Sequence, residues 1–467
     1  MALRIPLAIV GNGGAAAEAI LALRAHGYGD DIHLFADNQH APYNPMLGTY
    51  VVSGKIPLER AFPFGDSHGF YEANRVTAHL GLAVKALDAA EQVVVTADGA
   101  THEYDRCLVA SGARPSVPPV PGLREALDAP WIVSTGHGSD GDRGPSRRRG
   151  SGVVFTMRSL DDALGLKQAV DGLRSRPGPP ARAAVIGASF VGVKIATVLH
   201  DLGMRVCLVE SESQILPTSA HPDCARVMEA HLAEEGYELR LGAALAGVEI
   251  GGTGGTGYGT VRLDFGALPG AAVPGGTAGV GGTGGTACED GAPQEDFDLA
   301  VVCTGTRPSL GFMAVGQVDM GEGILVDEQM RSSIPTLYAA GDVAQGKNLM
   351  SGRHEIIGLW SSARYQGRAA GRSLAGARSE YPGSVPHNIT HVGRMLFATV
   401  GCMKDYDRAT MCRERDKLQV RVWQDERLAG VNLLNCCCSA GAVKQALIKV
   451  ARDADAETEV TWTSFKE

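Results

Sequence analysis

Short apolar runs, glycine-rich turns and a helical pattern follow one another at the start of the chain. The apolar run Leu3–Val10 is followed by the glycine-rich segment Gly11–Gly14 and by the alanine-rich stretch Ala15–Ala25. A second apolar run, Asp31–Phe35, ends close to Asp37. Short apolar runs predict buried strands and the longer stretch predicts a helix, so this segment is expected to form a strand–helix–strand unit.

The same pattern occurs a second time near the middle of the chain. The strand-like run Ala183–Ile186 leads into the turn Gly187–Gly192, and the stretch Lys194–Leu202 is predicted to be a helix. A second strand is expected at Met204–Val209, directly before Glu210. This repetition predicts an α/β protein with two separate doubly wound, Rossmann-like domains.

Further apolar runs end on small residues or have the composition of strands. They are Asp105–Ala110 before Ser111–Pro115, Asp298–Cys303 before Thr304–Pro308, Ile334–Ala339 before Ala340–Asp342, and Leu418–Trp423 and Leu428–Leu434 near the C-terminus. The first two segments are interpreted as counterparts of each other. A helix is expected at Ser361–Leu374.

Composition and charge narrow the classes of function. The 467 residues are 44 % hydrophobic and 20 % charged, which is ordinary for a globular protein, and the formal net charge of −9 argues against a nucleic-acid binder. The apolar run Ile5–Val10 is too short for a secretory signal, and nothing approaches the ~18 apolar residues of a membrane span. We therefore expect a cytoplasmic protein without a membrane span.

Two segments have the composition of loops or insertions. Residues 134–152 are rich in Gly, Ser, Asp and Arg, and residues 251–293 form a glycine-rich tract that a strand-like piece, Thr260–Phe265, interrupts. Few apolar side chains are available there for burial, so much of the tract is expected to be mobile. A phosphate-binding role is disfavoured, because phosphate-binding loops need a strand before them and a helix after them.

Cysteine and histidine spacing gives no metal site. Ten cysteines are present without a CxxC pair, so most are expected to be buried thiols in a reducing compartment. For the adjacent Cys436, Cys437 and Cys438, a packing role is favoured over a thiol relay. His387 and His391 lie four residues apart, but the β-branched residues between them predict extended chain, so metal binding is not expected.

The first glycine segment has the spacing of a dinucleotide-binding turn, Gly11-x-Gly13-x-x-Ala16. The first glycine permits the tight turn, the second admits a pyrophosphate, and a small third residue lets helix and strand pack. The free N–H groups at the helix start then favour phosphate. Asp37 is the candidate ligand for ribose hydroxyls.

The second segment, Gly187-x-Ser189-x-x-Gly192, is a weaker copy because serine replaces the middle glycine. Its second strand ends at Glu210, a carboxylate that can accept from a ribose 2′-OH and would repel a 2′-phosphate. No arginine follows in residues 211–213. The pattern therefore favours NADH over NADPH.

The order of these motifs resembles the pyridine-nucleotide-dependent flavoprotein reductases, the superfamily that contains glutathione reductase. The resemblance covers roughly residues 3–375 and implies one FAD and one NAD(H), with Asp342 at the flavin ribityl chain. The implied FAD contacts are Gly11, Gly13, Gly14, Ala16, Asp37, Pro42, Val84, Ala110, Ser111, Gly112, Arg114, Gly341, Asp342 and Trp360, and the implied NAD contacts are Gly187, Ser189, Val191, Gly192, Glu210 and Gly305.

The segment before Pro42 and Tyr43 places the chain within that superfamily. Relatives similar to coenzyme A-disulfide reductase carry a redox cysteine directly before this Pro-Tyr pair, and here the residue is Ala41. The segment instead resembles rubredoxin reductases, ferredoxin reductases, the flavin part of nitrite reductase and the flavin subunit of phenylglyoxylate dehydrogenase. In many relatives a glutamate that helps position the nicotinamide stands where this chain has Lys194.

Two residues have alternative interpretations. Lys55 either lies near the flavin, where its cation would stabilise the reduced form, or is a solvated surface lysine. Trp360 either borders the isoalloxazine or packs in the core.

The resemblance also implies a domain order and a reaction. We expect an FAD domain from residues 1–125 and 308–385, a linker at 126–151, an inserted NAD(H) domain at 152–307, and a C-terminal interface domain at 386–467 that could form a homodimer. The reaction is hydride transfer between NADH and flavin N5 without a redox cysteine, with a rubredoxin, a ferredoxin or an iron–sulfur subunit as electron partner. Two alternatives stay open: a reductase of a small disulfide, polysulfide or quinone, and a flavin redox sensor that acts by binding.

Overall fold

The structure is a computed structural model that describes residues 4–65, 67–132, 147–149, 152–251, 259–267, 294–436 and 440–452. Most of the predicted insertion at 134–152 and most of the glycine-rich tract lie outside the described residues. So do Cys288, Cys437 and Cys438.

The first dinucleotide unit begins with the strand–helix–strand segment that the sequence predicts. Its elements are β1 (Ile5–Val10), α1 (Gly14–Ala25), β2 (Ile32–Ala36), α2 (Gly48–Val52), α3 (Ser67–Ala73), β3 (Val76–Leu80), β4 (Val84–Asp88), β5 (Val93–Thr96), β6 (Thr101–Val109), β7 (Ala113–Pro115), α4 (Leu123–Asp128), β8 (Pro130–Ile132) and β9 (Arg147–Arg149), with short 3-10 helices at Pro45–Leu47 and Leu58–Ala61. The near-continuous burial of β1 is typical of a parallel strand that is covered on both faces.

The second dinucleotide unit repeats this architecture. Its elements are β10 (Val154–Thr156), α5 (Leu160–Arg174), β11 (Arg182–Ile186), α6 (Phe190–Asp201), β12 (Arg205–Glu210), α7 (Pro222–Glu234), β13 (Glu238–Leu241), β14 (Ala243–Ile250), β15 (Val261–Ala267), β16 (Gln294–Phe297), β17 (Leu299–Val302) and β18 (Thr306–Pro308). Its parallel sheet has the order β10-β17-β11-β12-β13, beside an antiparallel sheet β14-β15-β16. The strand expected at Thr260–Phe265 is β15.

The rest of the chain completes the first unit and adds a C-terminal unit. The elements are β19 (Ile324–Leu325), β20 (Leu337–Ala339), β21 (Ala344–Lys347), β22 (His354–Glu355), α8 (Trp360–Leu374), β23 (His387–Val392), β24 (Met395–Gly401), β25 (Arg408–Glu414), β26 (Lys417–Gln424), β27 (Arg427–Leu434) and α9 (Ala440–Arg452). His387 and His391 lie on β23, so the predicted extended chain is confirmed.

The sheet of the first unit is built from two distant parts of the chain. Strands β3, β2, β1 and β6 are parallel in that order, and β20 adds to β6 in parallel register. Strands β4 and β5 extend β6 in antiparallel fashion. The whole second unit is therefore inserted between β6 and β20.

Helix α8 closes the first unit by packing closely on α1. A Cβ at Gly367 would lie 2.1 Å from the Ala15 carbonyl oxygen, and a Cβ at Gly371 would lie 2.3 Å from that of Ala19. Only glycine allows this approach. The nearly buried Glu18 on α1 accepts hydrogen bonds from the guanidinium groups of two arginines on α8, Arg364 and Arg368.

The C-terminal sheet, in the order β23-β24-β27-β26-β25, is covered on both faces. Phe397 and Val420 pack into the core of the second unit, whereas Val431 packs against Leu447 of α9. The fully buried Asn432 fixes this docking, because its Oδ1 accepts from the backbone N–H of His221 at 2.7 Å and its Nδ2 donates back to the second unit.

Candidate active site between the two dinucleotide units

The first glycine turn, Gly11–Ala16, has the backbone of a dinucleotide-binding turn. Gly11 has a φ of +112°, and its N–H donates to the carbonyl oxygen of Phe35 at 2.8 Å. A Cβ at Gly11 would lie 2.2 Å from the carbonyl oxygen of Ala110 at the end of β6. The turn thus needs glycine there for both its conformation and its close approach to the next strand.

The second and third glycines of this turn have opposite surroundings. Gly13 is the N-cap of α1 without a side-chain cap, and no atom lies within 4 Å of a Cβ built on it. Free N–H groups beside an open space fit a pyrophosphate. By contrast, a Cβ at Gly14 would lie 2.5 Å from the ring of Trp360, which packs over the turn near Phe64.

An ion pair links the two units beside this turn. Asp342 follows β20, and its Oδ2 accepts from the guanidinium of Arg158 at 2.7 Å. Arg158 also donates to the carbonyl oxygen of Ala113 at 3.0 Å, while the N–H of Gly341 donates to the buried Gln366. The carboxylate is held where the first unit meets the second, which fits its expected place beside a ribityl chain.

Side chains absent from the sequence prediction brace the same turn. Asn12 is buried, donates to the carbonyl oxygen of His40 at 2.9 Å, and accepts from the hydroxyl of Tyr71 at 2.7 Å. The imidazole of His40 in turn contacts Asp161 of the second unit at 3.0 Å. Burial raises the pKa of Tyr71 to about 12, so this phenol is a hydrogen-bond donor at neutral pH.

The second glycine turn, Gly187–Gly192, repeats the backbone of the first. Gly187 has a φ of +99°, and its N–H donates to the carbonyl oxygen of Val209. A Cβ at Gly187 would lie 2.6 Å from the carbonyl oxygen of Cys303. A Cβ at Gly192 would lie 1.8 Å from the Gly187 carbonyl oxygen, so this position excludes even alanine. The predicted duplication therefore extends to individual hydrogen bonds.

Ser189 and Glu210 satisfy the donors of the second turn. The Ser189 hydroxyl caps α6 by accepting from the N–H of Gly192 and donates to the carbonyl oxygen of Cys303 at 3.0 Å. The buried carboxylate of Glu210 accepts from the N–H of Ala188 at 2.7 Å and from both Ser211 and Glu212. Glu210 therefore stands at the strand end beside the turn, where a ribose 2′-OH would be recognised.

The segments Ser111–Pro115 and Thr304–Pro308, interpreted from sequence as counterparts, pair with each other. Strands β7 and β18 form a two-stranded antiparallel ribbon with Arg114 opposite Arg307. Ser111 donates to the carbonyl oxygen of Ser309 at 2.8 Å. This ribbon is the chain's entry to and exit from the second unit, and a Cβ at the adjacent Gly112 would lie 4.0 Å from the guanidinium of Arg158.

The other predicted site residues are spread around this framework. Asp37 and Val191 are exposed, Pro42 is buried, and Val84 begins β4. Lys55 is exposed, and its ammonium pairs with Asp201 of α6 at 3.3 Å. That pairing favours the surface interpretation of Lys55, and its place near the flavin stays a prediction.

Arg158 is the main residue of this junction that the sequence did not predict. It lies two residues after the end of β10 and precedes the helix cap Ser159, whose hydroxyl accepts from the N–H of Asp162. An arginine at the carboxyl end of a parallel strand is a signal for anion binding that could have been used. Its partner Asp342 lies so far along the chain that no spacing connects the two.

The two-domain flavoprotein reductases are a class defined by three features: two dinucleotide-binding turns, one unit inserted into the other, and an acidic residue at their junction. The chain belongs to the pyridine nucleotide-disulphide oxidoreductase family, whose sequence model matches residues 5–367. It is an oxidoreductase that uses FAD and NAD(H), as the sequence resemblance implied.

Individual relatives agree with this assignment. The chain is 30 % identical to the NADH-dependent phenylglyoxylate dehydrogenase subunit epsilon of Aromatoleum evansii, over 82 % of this chain and 76 % of that protein. It is 24 % identical to the rubredoxin-NAD(+) reductase of Ectopseudomonas oleovorans, over 94 % and 97 % of the two chains.

Solved structures confirm the predicted α/β fold. The structure of the covalent putidaredoxin reductase–putidaredoxin complex superposes with a TM-score of 0.76 at 22 % identity, covering 95 % of this chain and 93 % of that one. The NADH:rubredoxin oxidoreductase from Clostridium acetobutylicum superposes with a TM-score of 0.69 at 17 % identity, over 99 % of each chain. In the described part of this chain, no helix is both long and apolar enough to cross a membrane.

Proposed function

We propose that this chain carries electrons between NADH and a small redox protein or an iron–sulfur subunit, with FAD on the first glycine turn and NAD(H) on the second. The single observation that carries the proposal is the pair of turns with matching backbone hydrogen bonds, Gly11 to Phe35 and Gly187 to Val209. The domain limits expected from the sequence, with FAD at 1–125 and 308–385, NAD(H) at 152–307 and an interface domain at 386–467, belong to this proposal.

Four residues of the site have distinct proposed roles in binding the two nucleotides. The uncapped start of α1 at Gly13 receives the pyrophosphate of FAD, and Asp342, held by Arg158, accepts from its ribityl hydroxyls. Glu210 accepts from the ribose of NADH and repels a 2′-phosphate. When bound, FAD supplies the chemistry of taking up a hydride at N5 and releasing electrons one at a time.

The thiols of the described residues support an acceptor outside the chain. Ala41, buried beside Pro42, stands where a redox cysteine would be expected. Cys303, next to the second turn, is fully buried, and burial raises the pKa of its thiol to about 12, so it stays protonated and inert at neutral pH. With no cysteine at position 41 and Cys303 protonated, electrons are proposed to pass directly from the flavin to a partner.

The names of the relatives indicate which class of electron partner to expect. The relatives are a subunit of an NADH-dependent dehydrogenase and a reductase of rubredoxin. A one-electron carrier is therefore the acceptor to test first. We further propose a cytoplasmic location, which the buried thiols of Cys107, Cys207, Cys224 and Cys303 support.

The test is an anaerobic titration of the purified holoprotein, followed by its visible spectrum. We expect NADH to bleach the flavin absorbance at far lower concentration than NADPH, and a rubredoxin or ferredoxin to restore it on mixing. A protein that takes up no FAD, or a flavin that NADH does not reduce, would contradict the proposal. If a quinone or disulfide rapidly reoxidises the reduced flavin and the carrier proteins do not, the acceptor is a small molecule rather than a redox protein.

A further inference from the structure

A lysine bridges the two units at the start of the second dinucleotide helix. Lys194 lies on α6, just after the glycine turn, and its ammonium lies 4.8 Å from the centroid of the Tyr50 ring. Tyr50 belongs to α2 of the first unit. The cation therefore lies where the second unit meets the first, on the helix that follows the second glycine turn.

The charge of Lys194 is not neutralised by the described residues. Asp201, whose charge acts on Lys194, is itself paired with Lys55 at 3.3 Å, and no carboxylate of the described chain lies within ion-pair distance of Lys194. Burial lowers the pKa of Lys194 and the charge of Lys55 lowers it further, against the opposing effect of Asp201. Partial burial also lowers the pKa of the neighbouring His391 on β23, and both lysines add to that effect.

This placement is unfavourable for folding alone. Partial burial of Lys194 costs desolvation, and the nearby Lys55 adds repulsion. Such perturbed charges concentrate at functional sites. Under the proposed function, the nicotinamide half of NAD(H), bound on the second glycine turn, extends toward this junction to reach the flavin.

The two forms of that nucleotide differ in charge at the ring. The nicotinamide of NAD+ carries a positive charge, whereas that of NADH is neutral. A half-buried ammonium nearby raises the free energy of the oxidised ring and leaves the reduced ring almost unaffected. The lysine therefore changes the difference in binding free energy between NAD+ and NADH, and not the binding of the parts that the two forms share.

We propose that Lys194 makes the second site select the neutral nicotinamide, so that the protein binds NADH more tightly than NAD+. The inference rests on the proposed function. In the direction from NADH to the acceptor, this preference speeds release of the oxidised product, and in the reverse direction it favours NADH formation on the protein.

The test compares redox-inert ligands on the oxidised holoprotein by calorimetry. They are 1,4,5,6-tetrahydro-NAD, whose ring is neutral, NAD+, and ADP-ribose, which lacks the ring. We expect wild type to bind tetrahydro-NAD about tenfold more tightly than NAD+, a difference of about 1.4 kcal/mol. Lys194→Met should bring the ratio close to one, and Lys194→Arg should preserve it.

Controls separate this role from a structural one. ADP-ribose should bind with equal affinity to wild type and to Lys194→Met, and Lys167→Met, which removes an exposed lysine of α5 paired with Asp171, should leave the ratio unchanged. Normal ADP-ribose binding with an unchanged ratio in Lys194→Met overturns the inference alone. A shifted flavin midpoint potential with an unchanged ratio would assign the cation to FAD instead. Absence of ADP-ribose binding in wild type would overturn the proposed function as well.

Discussion

The two glycine turns share one backbone geometry but differ in how the starts of their helices are satisfied. At the first turn, Gly13 leaves the N–H groups of α1 uncapped beside open space, and Asp37 is exposed. At the second, Ser189 caps α6, and the buried Glu210 accepts from three donors. The second turn thus has its own side-chain acceptors for one helix N–H and for the N–H of Ala188, whereas the start of α1 has no side-chain cap.

This difference matches two kinds of cofactor use. A site with unsatisfied donors gains most from an anion that stays bound, because removing the anion would leave those N–H groups without partners. A site whose helix start has a side-chain cap loses less when its ligand leaves, and can therefore stand empty between turnovers. The comparison therefore predicts a resident FAD at the first turn and an exchanging NAD(H) at the second.

The largest effects are expected from breaking each turn in the same way. Gly11→Ala forces a Cβ against the Ala110 carbonyl oxygen at 2.2 Å and should yield protein without FAD, whereas Gly187→Ala should yield a flavoprotein that NADH cannot reduce. Flavin absorbance after gel filtration, followed by NADH titration, distinguishes the two variants. A Gly187→Ala protein that loses FAD would contradict the separation of the two sites.

Exchanging the caps gives an intermediate effect. Gly13→Ser adds a capping hydroxyl in the space left for phosphate and should weaken FAD binding by more than about tenfold, or ~1.4 kcal/mol. The reverse exchange, Ser189→Gly, should cost only a few tenths of a kcal/mol of stability and change the NADH dissociation constant by less than about threefold. Titration of apoprotein with FAD and of holoprotein with NADH measures both. Much weaker NADH binding in Ser189→Gly would show that the hydroxyl contacts the nucleotide.

The remaining comparison concerns the carboxylates of the two turns. Glu210→Gln removes the negative charge of a carboxylate that accepts three hydrogen bonds. We expect the ratio of kcat/KM for NADH over that for NADPH to fall about tenfold, and the free energy of unfolding to fall by about 1–3 kcal/mol. Asp37→Asn at the exposed counterpart should change the FAD dissociation constant by less than about threefold. Steady-state kinetics and urea unfolding provide the readout. Equal effects of the two substitutions would remove the distinction between the turns.

Features set by local sequence were predicted well. The turn at Gly11 and that at Gly187 follow from glycine spacing between an apolar run and a helical pattern, and the structure has both. Element limits were less accurate where tertiary pairing decides them. The strand predicted to begin at Asp105 begins at Thr101, because pairing with β5 extends it, and the strand predicted from Ile334 begins only at Leu337, because a turn closes there with a bond from Leu337 to Ile334.

Contacts between distant segments could not be predicted. Arg158 and Asp342 meet only because the second unit is folded against the first, and Lys194 reaches Tyr50 across the same junction. The sequence shows only that Lys194 stands where many relatives carry a glutamate. Its partner on α2 and its lack of a compensating acid in the described structure give it a physical interpretation.

The insertion of one unit within the other also has a consequence for biosynthesis. Strand β6 ends at Val109, but its neighbour β20 begins only at Leu337, so the first unit cannot complete its sheet until the entire second unit has left the ribosome. At about 5–20 residues per second, β6 waits on the order of ten seconds or more with the Cys107–Val109 part of one edge unpaired. The inserted unit, whose strands are contiguous, can fold during that interval, so FAD is expected to bind after translation of the second unit rather than before it.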